Sequence, residues 1–356
     1  MPHSHKVQRR LGDTREPRAE DRDHRGRKPG GANTASVTRR AIRIAAPEAV
    51  VTTSTEKVVM RTLEGLLNDG WSYHDRDGER LAGELEAVSE APPELLAAFV
   101  HLAVHTIGEH MGDWPRAYAL GQRILRGHTA SGQTAPAWER LCVAAVLSAD
   151  GVGAAELELT ALDVAEAPVA SLLAMRLHLV DALASADRIA EACRIFPLVL
   201  DVASCAVPTP ILDRAVAITG NNLAWLLHDL PTRSSYEDAL MSRAADASLA
   251  AWRRCGSWIN EELALYLGAR VAHARGDAAS ALDLAGAGLQ VIAANDRRPF
   301  DSARFHLLRA AALTVLNDPA GRAQALAEAD AAGEQIAFGD LKQQYAAERA
   351  RLSRPT

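Results

Sequence analysis

From Pro93 to Leu352 the apolar side chains, chiefly Ala and Leu, recur at helical spacing, and short polar turns interrupt the pattern. Three of the turns end in an aspartate at equal intervals. Asp113, Asp150 and Asp187 are each 37 residues apart, and Ser235, Asp277 and Asn317-Asp318 continue the series at 48, 42 and 41. Four residues after the turn stands a small side chain, Ala117, Ala154, Ala239 and Ala281, with Ala192 and Ala323 one step later in two imperfect copies. This pattern predicts six helical hairpins: a short polar side chain caps the second helix, and an alanine one turn in lets the two helices approach closely. Breaks are also expected at Pro168, at Val207-Pro208-Thr209-Pro210 and at Arg297-Arg298-Pro299, because proline cannot continue a helix but can open one. Before the repeats, helices are expected over about Ser54–Asn68 and Arg80–Ser89. The polar helix Leu341–Leu352 would close the array.

Composition supports an all-α reading. Hydrophobic residues are 48% of the 356 residues and aromatics only 4%, too few bulky rings for a sheet core. Mean hydropathy is -0.08 and the basic start is not followed by an apolar stretch, so neither a membrane span nor a signal peptide is expected, and the cytoplasm is the expected location. Charge divides the chain. Residues 1–45 carry +7 and the remainder −13, giving the net −6. No aromatic residue precedes Trp71, so residues 1–45 read as a disordered basic tail, 46–90 as a helical cap and 91–356 as the repeat domain. A nucleic-acid arm built on Arg22, Arg25, Arg27 and Lys28 is not favoured, since Glu20, Asp21 and Asp23 interrupt it and no ring is present to stack bases.

The turns and notches resemble those of the tetratricopeptide repeat. Glu262–Leu289 is the clearest copy, with Leu265-x-x-Gly268-Ala269 as its opening, Gly276-Asp277 as its turn and Ala281-x3-Ala285 as its closing step. Leu265, Ala272 and Ala285 replace the consensus Trp, Tyr and Phe, and the intervals exceed the family's usual 34. Gly220-Asn221-Asn222-Leu223-Ala224 is similar to the Asn-Asn-Leu-Ala signature of kinesin light chains. The resemblance spans roughly residues 90–340. It implies a right-handed α-α superhelix of about six hairpins whose first helices line a concave groove.

Carrying that register over places Asn221, Trp225 and His228 on one inner helix and Tyr266, Arg270 and His273 on the next. The family's use of inner-helix asparagines on extended peptides implies that role for Asn221 or Asn222. Arg270 between two histidines implies an acidic peptide or a carboxylate as partner. The expected function is a non-catalytic protein- or peptide-binding scaffold or adaptor. A ligand-sensing module of a bacterial signalling or transcription system is the alternative.

Catalytic chemistry finds no template. His101-x3-His105-x3-Glu109-His110 matches neither H-E-x-x-H nor H-x-x-E-H. In the repeat register His101 and His105 fall on packing positions, so neither metal nor other cofactor is assigned, and a metal-dependent hydrolase is the weakest reading. No phosphate-binding glycine loop or nucleophile elbow occurs. Cys142 and Cys193 read as core residues, and Cys142, Cys193, Cys205 and Cys255 form no CxxC pair. No heptad run specifies an oligomer.

Overall fold

Fifteen α-helices and one π-helical turn make up the regular structure of residues 62–352, the part of the chain described by the computed structural model; no strand occurs among them. Two short helices come first, α1 (Leu63–Gly70) and α2 (Gly78–Glu86). Six hairpins follow: α3 (Pro93–Ala103), extended by the π-turn Val104–His110, with α4 (Trp114–Leu125); α5 (Ala135–Leu147) with α6 (Gly151–Asp163); α7 (Pro168–Ser185) with α8 (Ile189–Cys205); α9 (Pro210–His228) with α10 (Ser235–Cys255); α11 (Trp258–Ala274) with α12 (Ala278–Asn295); and α13 (Pro299–Val315) with α14 (Pro319–Glu334). The last helix, α15 (Gly339–Leu352), packs on α13. The first helix of each hairpin packs on the first helix of the next, so the molecule is an α-solenoid. The basic tail and the part of the expected first helix before Thr62 lie outside the described residues.

The sequence signals account for the helix starts. Pro168, Pro210 and Pro299 each occupy the first position of a helix, where a missing N–H costs nothing. Asp113, Asp150, Asp277 and Asp318 accept a hydrogen bond from the backbone N–H three residues on, at 2.9–3.2 Å. Two expected caps are corrected. The α10 cap is Ser234, not Ser235, and forms a reciprocal capping box with Glu237. Asp187 is not a cap; it has φ 60° and lies one residue before the N-cap Arg188. It occupies the left-handed position held elsewhere by Gly112, Ala149, Gly276 and Asn317. Counted from Arg188, Ala192 stands four residues into the repeat, which explains its apparent lag.

The alanine notch is real in four hairpins. Ala117, Ala154, Ala192 and Ala281 are buried, whereas Ala239 and Ala323 are exposed and do not line a seam. Glycine provides a closer approach between α9 and α10: a Cβ on Gly220 would lie 2.7 Å from the Ala244 carbonyl oxygen. Two large apolar cores result. One runs from α1 to α7 and the other from α7 to α13, and α7 contributes side chains to both: Met175 and Ala182 to the first, Leu173, Leu177 and Val180 to the second. By length and composition α7 could also cross a membrane, at a mean hydropathy of 1.2, but half of it is buried within the protein.

Candidate functional site

Helices α9, α11 and α13 bring four of the seven expected residues together. Trp225 and His228, one turn apart on α9, meet edge to face at 5.4 Å between ring centroids. The Tyr266 ring of α11 lies 6.4 Å from Trp225, and the Arg270 guanidinium lies 6.0 Å from the Trp225 ring centre. Arg270 reaches the Tyr266 hydroxyl and His228 Nε2, each at 3.4 Å. An arginine can only donate, so His228 Nε2 accepts and His228 Nδ1 carries the proton, which it donates to Asp229 at 3.1 Å. Burial first, and the Arg270 charge second, hold His228 below the usual imidazole range. The imidazole is therefore neutral. Arg270 has no carboxylate partner among the described residues.

The other three residues differ from expectation. Asn221 is 1% exposed and turned into the seam beside Gly220, with its Nδ2 on Asn222 Oδ1 at 3.3 Å, so it cannot present its amide to a peptide. Asn222 is half-buried and its Nδ2 donates to Asp181 of α7 at 3.2 Å, so one of its amide donors is already engaged. His273 makes no hydrogen bond or ring contact with the cluster, and burial lowers its pKa. Tyr266 joins the cluster but is 4% exposed; it acts as a wall, not a contact surface.

Two residues join the site without any signal in the repeat register. Arg304 of α13 stacks over the Tyr266 ring at 4.0 Å and is tied to Glu348 of α15 at 3.4 Å. Asp181 accepts from Asn222 and from Thr219 Oγ1, the latter at 2.6 Å, and so fixes α9 against α7. Deeper between α11 and α13, Glu262 and Asp301 share Arg298, which lies 3.8 Å from Glu262 and also bonds Asp301. Burial, with Asp301 adding repulsion, pushes the Glu262 carboxyl up to about 8. Trp225, His228 and Arg270 are half-buried, and Tyr266 is buried. A recess of about 660 Å³, lined by Tyr118, Trp138, Asp150 and Glu156 among others, shares no residue with the cluster.

The earlier-repeat equivalents of the inner stripe are buried at Leu102, Thr106, Glu139, Val143, Val180 and Leu183. Of the two histidines expected in packing seams, His101 meets Trp71 edge-on at 5.1 Å between ring centroids, and His105, with a side chain only 12% exposed, bonds Glu109 at 2.7 Å. His101 precedes the π-turn on α3; for His105 that turn causes the difference, since it shifts the register of the side chains after Ala103. It also brings in His74, from the turn between α1 and α2, beside His105 and His110. One ligand nitrogen from each of these three lies within 4.8 Å of the others.

Stacked hairpins of this kind define a helical-repeat protein. No family model matches the chain, and no curated protein does. Among solved structures, that of BtubC (BKLC) from P. vanneervenii aligns at 15% identity with a TM-score of 0.41, over 79% of this chain and 95% of that chain. The assignment to helical repeats rests on the hairpins themselves.

Proposed function

We propose that the protein is a non-catalytic, tetratricopeptide-like scaffold whose α9–α11–α13 face captures a peptide or protein segment bearing a carboxylate. The observation that carries the reading is Arg270: a permanent charge held against Trp225 and Tyr266, donating to a neutral histidine and lacking an acidic partner among the described residues. A carboxylate fits that guanidinium through two parallel hydrogen bonds, each strengthened by charge. Trp225, His228 and Arg270 keep part of their surface accessible, which suits contact with a segment of another chain. One charge-assisted bond contributes about 1.5–3 kcal/mol. Micromolar capture needs about 8 kcal/mol, so the exposed parts of Trp225 and Asn222 must also contribute.

Panning a random dodecapeptide display library on the full chain tests this. Selected peptides should be enriched in Asp and Glu and should lose at least about tenfold in affinity for Arg270→Glu, the equivalent of about 1.4 kcal/mol. Peptides that bind Arg270→Glu as well as they bind the natural chain would remove the assignment.

A further inference from the structure

Apart from the peptide-binding face, three histidines converge at the start of the solenoid. His105 and His110 are five residues apart, a spacing that on a regular α-helix would set them about 140° apart around the axis. The π-turn Val104–His110 removes that offset, because its hydrogen bonds run between residues five apart, as from Met111 N–H to the Thr106 carbonyl at 3.1 Å. The two Nε2 atoms come to 3.1 Å. Nitrogens bound to one tetrahedral zinc ion at 2.0–2.1 Å are separated by about 3.3 Å, so this pair already has close to a coordination spacing.

Hydrogen-bond partners set the tautomers of His105 and His74. Glu109 accepts from His105 Nδ1 at 2.7 Å and is itself 3.9 Å from Arg140. His105 therefore directs the Nε2 lone pair towards His110, whose own Nε2 carries the proton of that contact and passes it to Nδ1 or solvent when a cation takes its place. The Trp71 carbonyl, which can only accept, takes the proton of His74 Nδ1 at 2.8 Å and leaves Nε2 as the lone-pair atom of that ring. A carboxylate and a backbone carbonyl behind the imidazoles are the outer partners that orient zinc-binding histidines. Trp71 completes the setting, with its ring 5.3 Å from both His74 and His105.

We propose that His74, His105 and His110 bind one divalent zinc ion, with a fourth coordination position facing solvent beside the exposed His110. Three neutral nitrogen donors suit a borderline cation such as zinc, and do not suit calcium or magnesium, which require oxygen ligands. The site is separate from the Arg270 cluster and stands or falls independently of it.

Titration of the chelator-stripped full chain with zinc chloride at pH 7.5, followed by calorimetry, tests the proposal. One ion per chain should bind with micromolar or tighter affinity, and cobalt should give the visible absorption of a four-coordinate site. His110→Ala, at an exposed position, and His74→Ala should each weaken binding at least about a hundredfold without loss of helical circular dichroism. Glu109→Gln should weaken it by about 10–100-fold, the usual cost of losing an outer partner. His128→Ala and a His3→Ala/His5→Ala double variant serve as controls and should bind as the natural chain does. Absence of saturable binding below 1 mM, or binding that survives His110→Ala but is lost in the His3/His5 variant, overturns the proposal.

Discussion

Gly286 and Gly288 lie two residues apart on α12, and alanine should have opposite effects at the two positions. At Gly288 a Cβ would meet the Phe305 ring at 2.1, 2.4 and 2.8 Å, and that ring is fully buried and cannot swing aside. Overpacking of this kind costs about 1–3 kcal/mol. Three ring contacts under 3 Å place this case in the upper half of that range. Alanine recovers about 0.8–1.0 kcal/mol in helix propensity, so the net expectation for Gly288→Ala is a loss of about 1–2 kcal/mol. At Gly286 nothing lies within 4 Å of the added methyl, and only the propensity gain remains, about 0.4–1 kcal/mol of added stability. Urea unfolding followed by circular dichroism at 222 nm should therefore separate the two variants by about 2 kcal/mol. Phe305 also meets Tyr266 edge to face at 5.4 Å, so Gly288→Ala should disturb the wall that carries Arg270 and Arg304. A Phe305→Leu change in the Gly288→Ala background should show a favourable coupling of about 0.5–3 kcal/mol. Equal stability of the two alanine variants would mean that α12 and α13 do not pack as described.

Further outcomes follow from the turns and the buried charges. Ala149 sits at φ 61°, where Gly112 and Gly276 stand in sister turns, so Ala149→Gly should raise stability by about 0.5–1 kcal/mol in the same unfolding assay. Asp150→Ala removes the cap on Gly153 and the acceptor of the Tyr118 hydroxyl, and should lower stability by about 0.5–2 kcal/mol. Glu262 has its carboxyl raised to about 8 in the folded chain, against an ordinary value near 4.5. The folded state then holds the extra proton, so this group's contribution to stability is complete below the ordinary value and is lost as pH rises towards 8, with a slope of up to about 1.4 kcal/mol per pH unit. Melting curves between pH 5 and 8.5 should show that decline, and Glu262→Gln should flatten it; an unchanged slope in the variant would refute the buried-acid reading.

Periodicity, proline positions and the spaced aspartates were enough to place the hairpins, because each of these signals acts within a few residues of itself. Pro168, Pro210 and Pro299 open helices on their own account, and Asp113, Asp150, Asp277 and Asp318 cap the turn immediately after them. Orientation around the helix axis was harder to read. Asn221 and Asn222 are neighbours in sequence, yet one enters a seam and the other reaches Asp181, because successive residues of a helix point about 100° apart and a shift of one position changes which of them is buried. The stripe through Trp225, His228, Tyr266 and Arg270 came together because both helices carry it at the same height in adjacent hairpins. Arg304 escaped notice because it reaches Tyr266 from a third helix. The histidine trio was illegible for another reason. His74 lies outside the repeats, and a π-turn has no signature in residue type alone, so a count in steps of three and four assigns His105 and His110 to different faces.

Because α7 lends side chains to both large cores, it is the party wall of the solenoid. Stretched from its ends, the molecule would yield hairpin by hairpin from either extremity, as each unit is braced only by its neighbours. Once unravelling from either end has taken α7, the block that survives on its far side is left with a raw apolar flank. That helix is therefore the keystone under tension, and the natural place to cut if the protein is to be dismantled into separate halves.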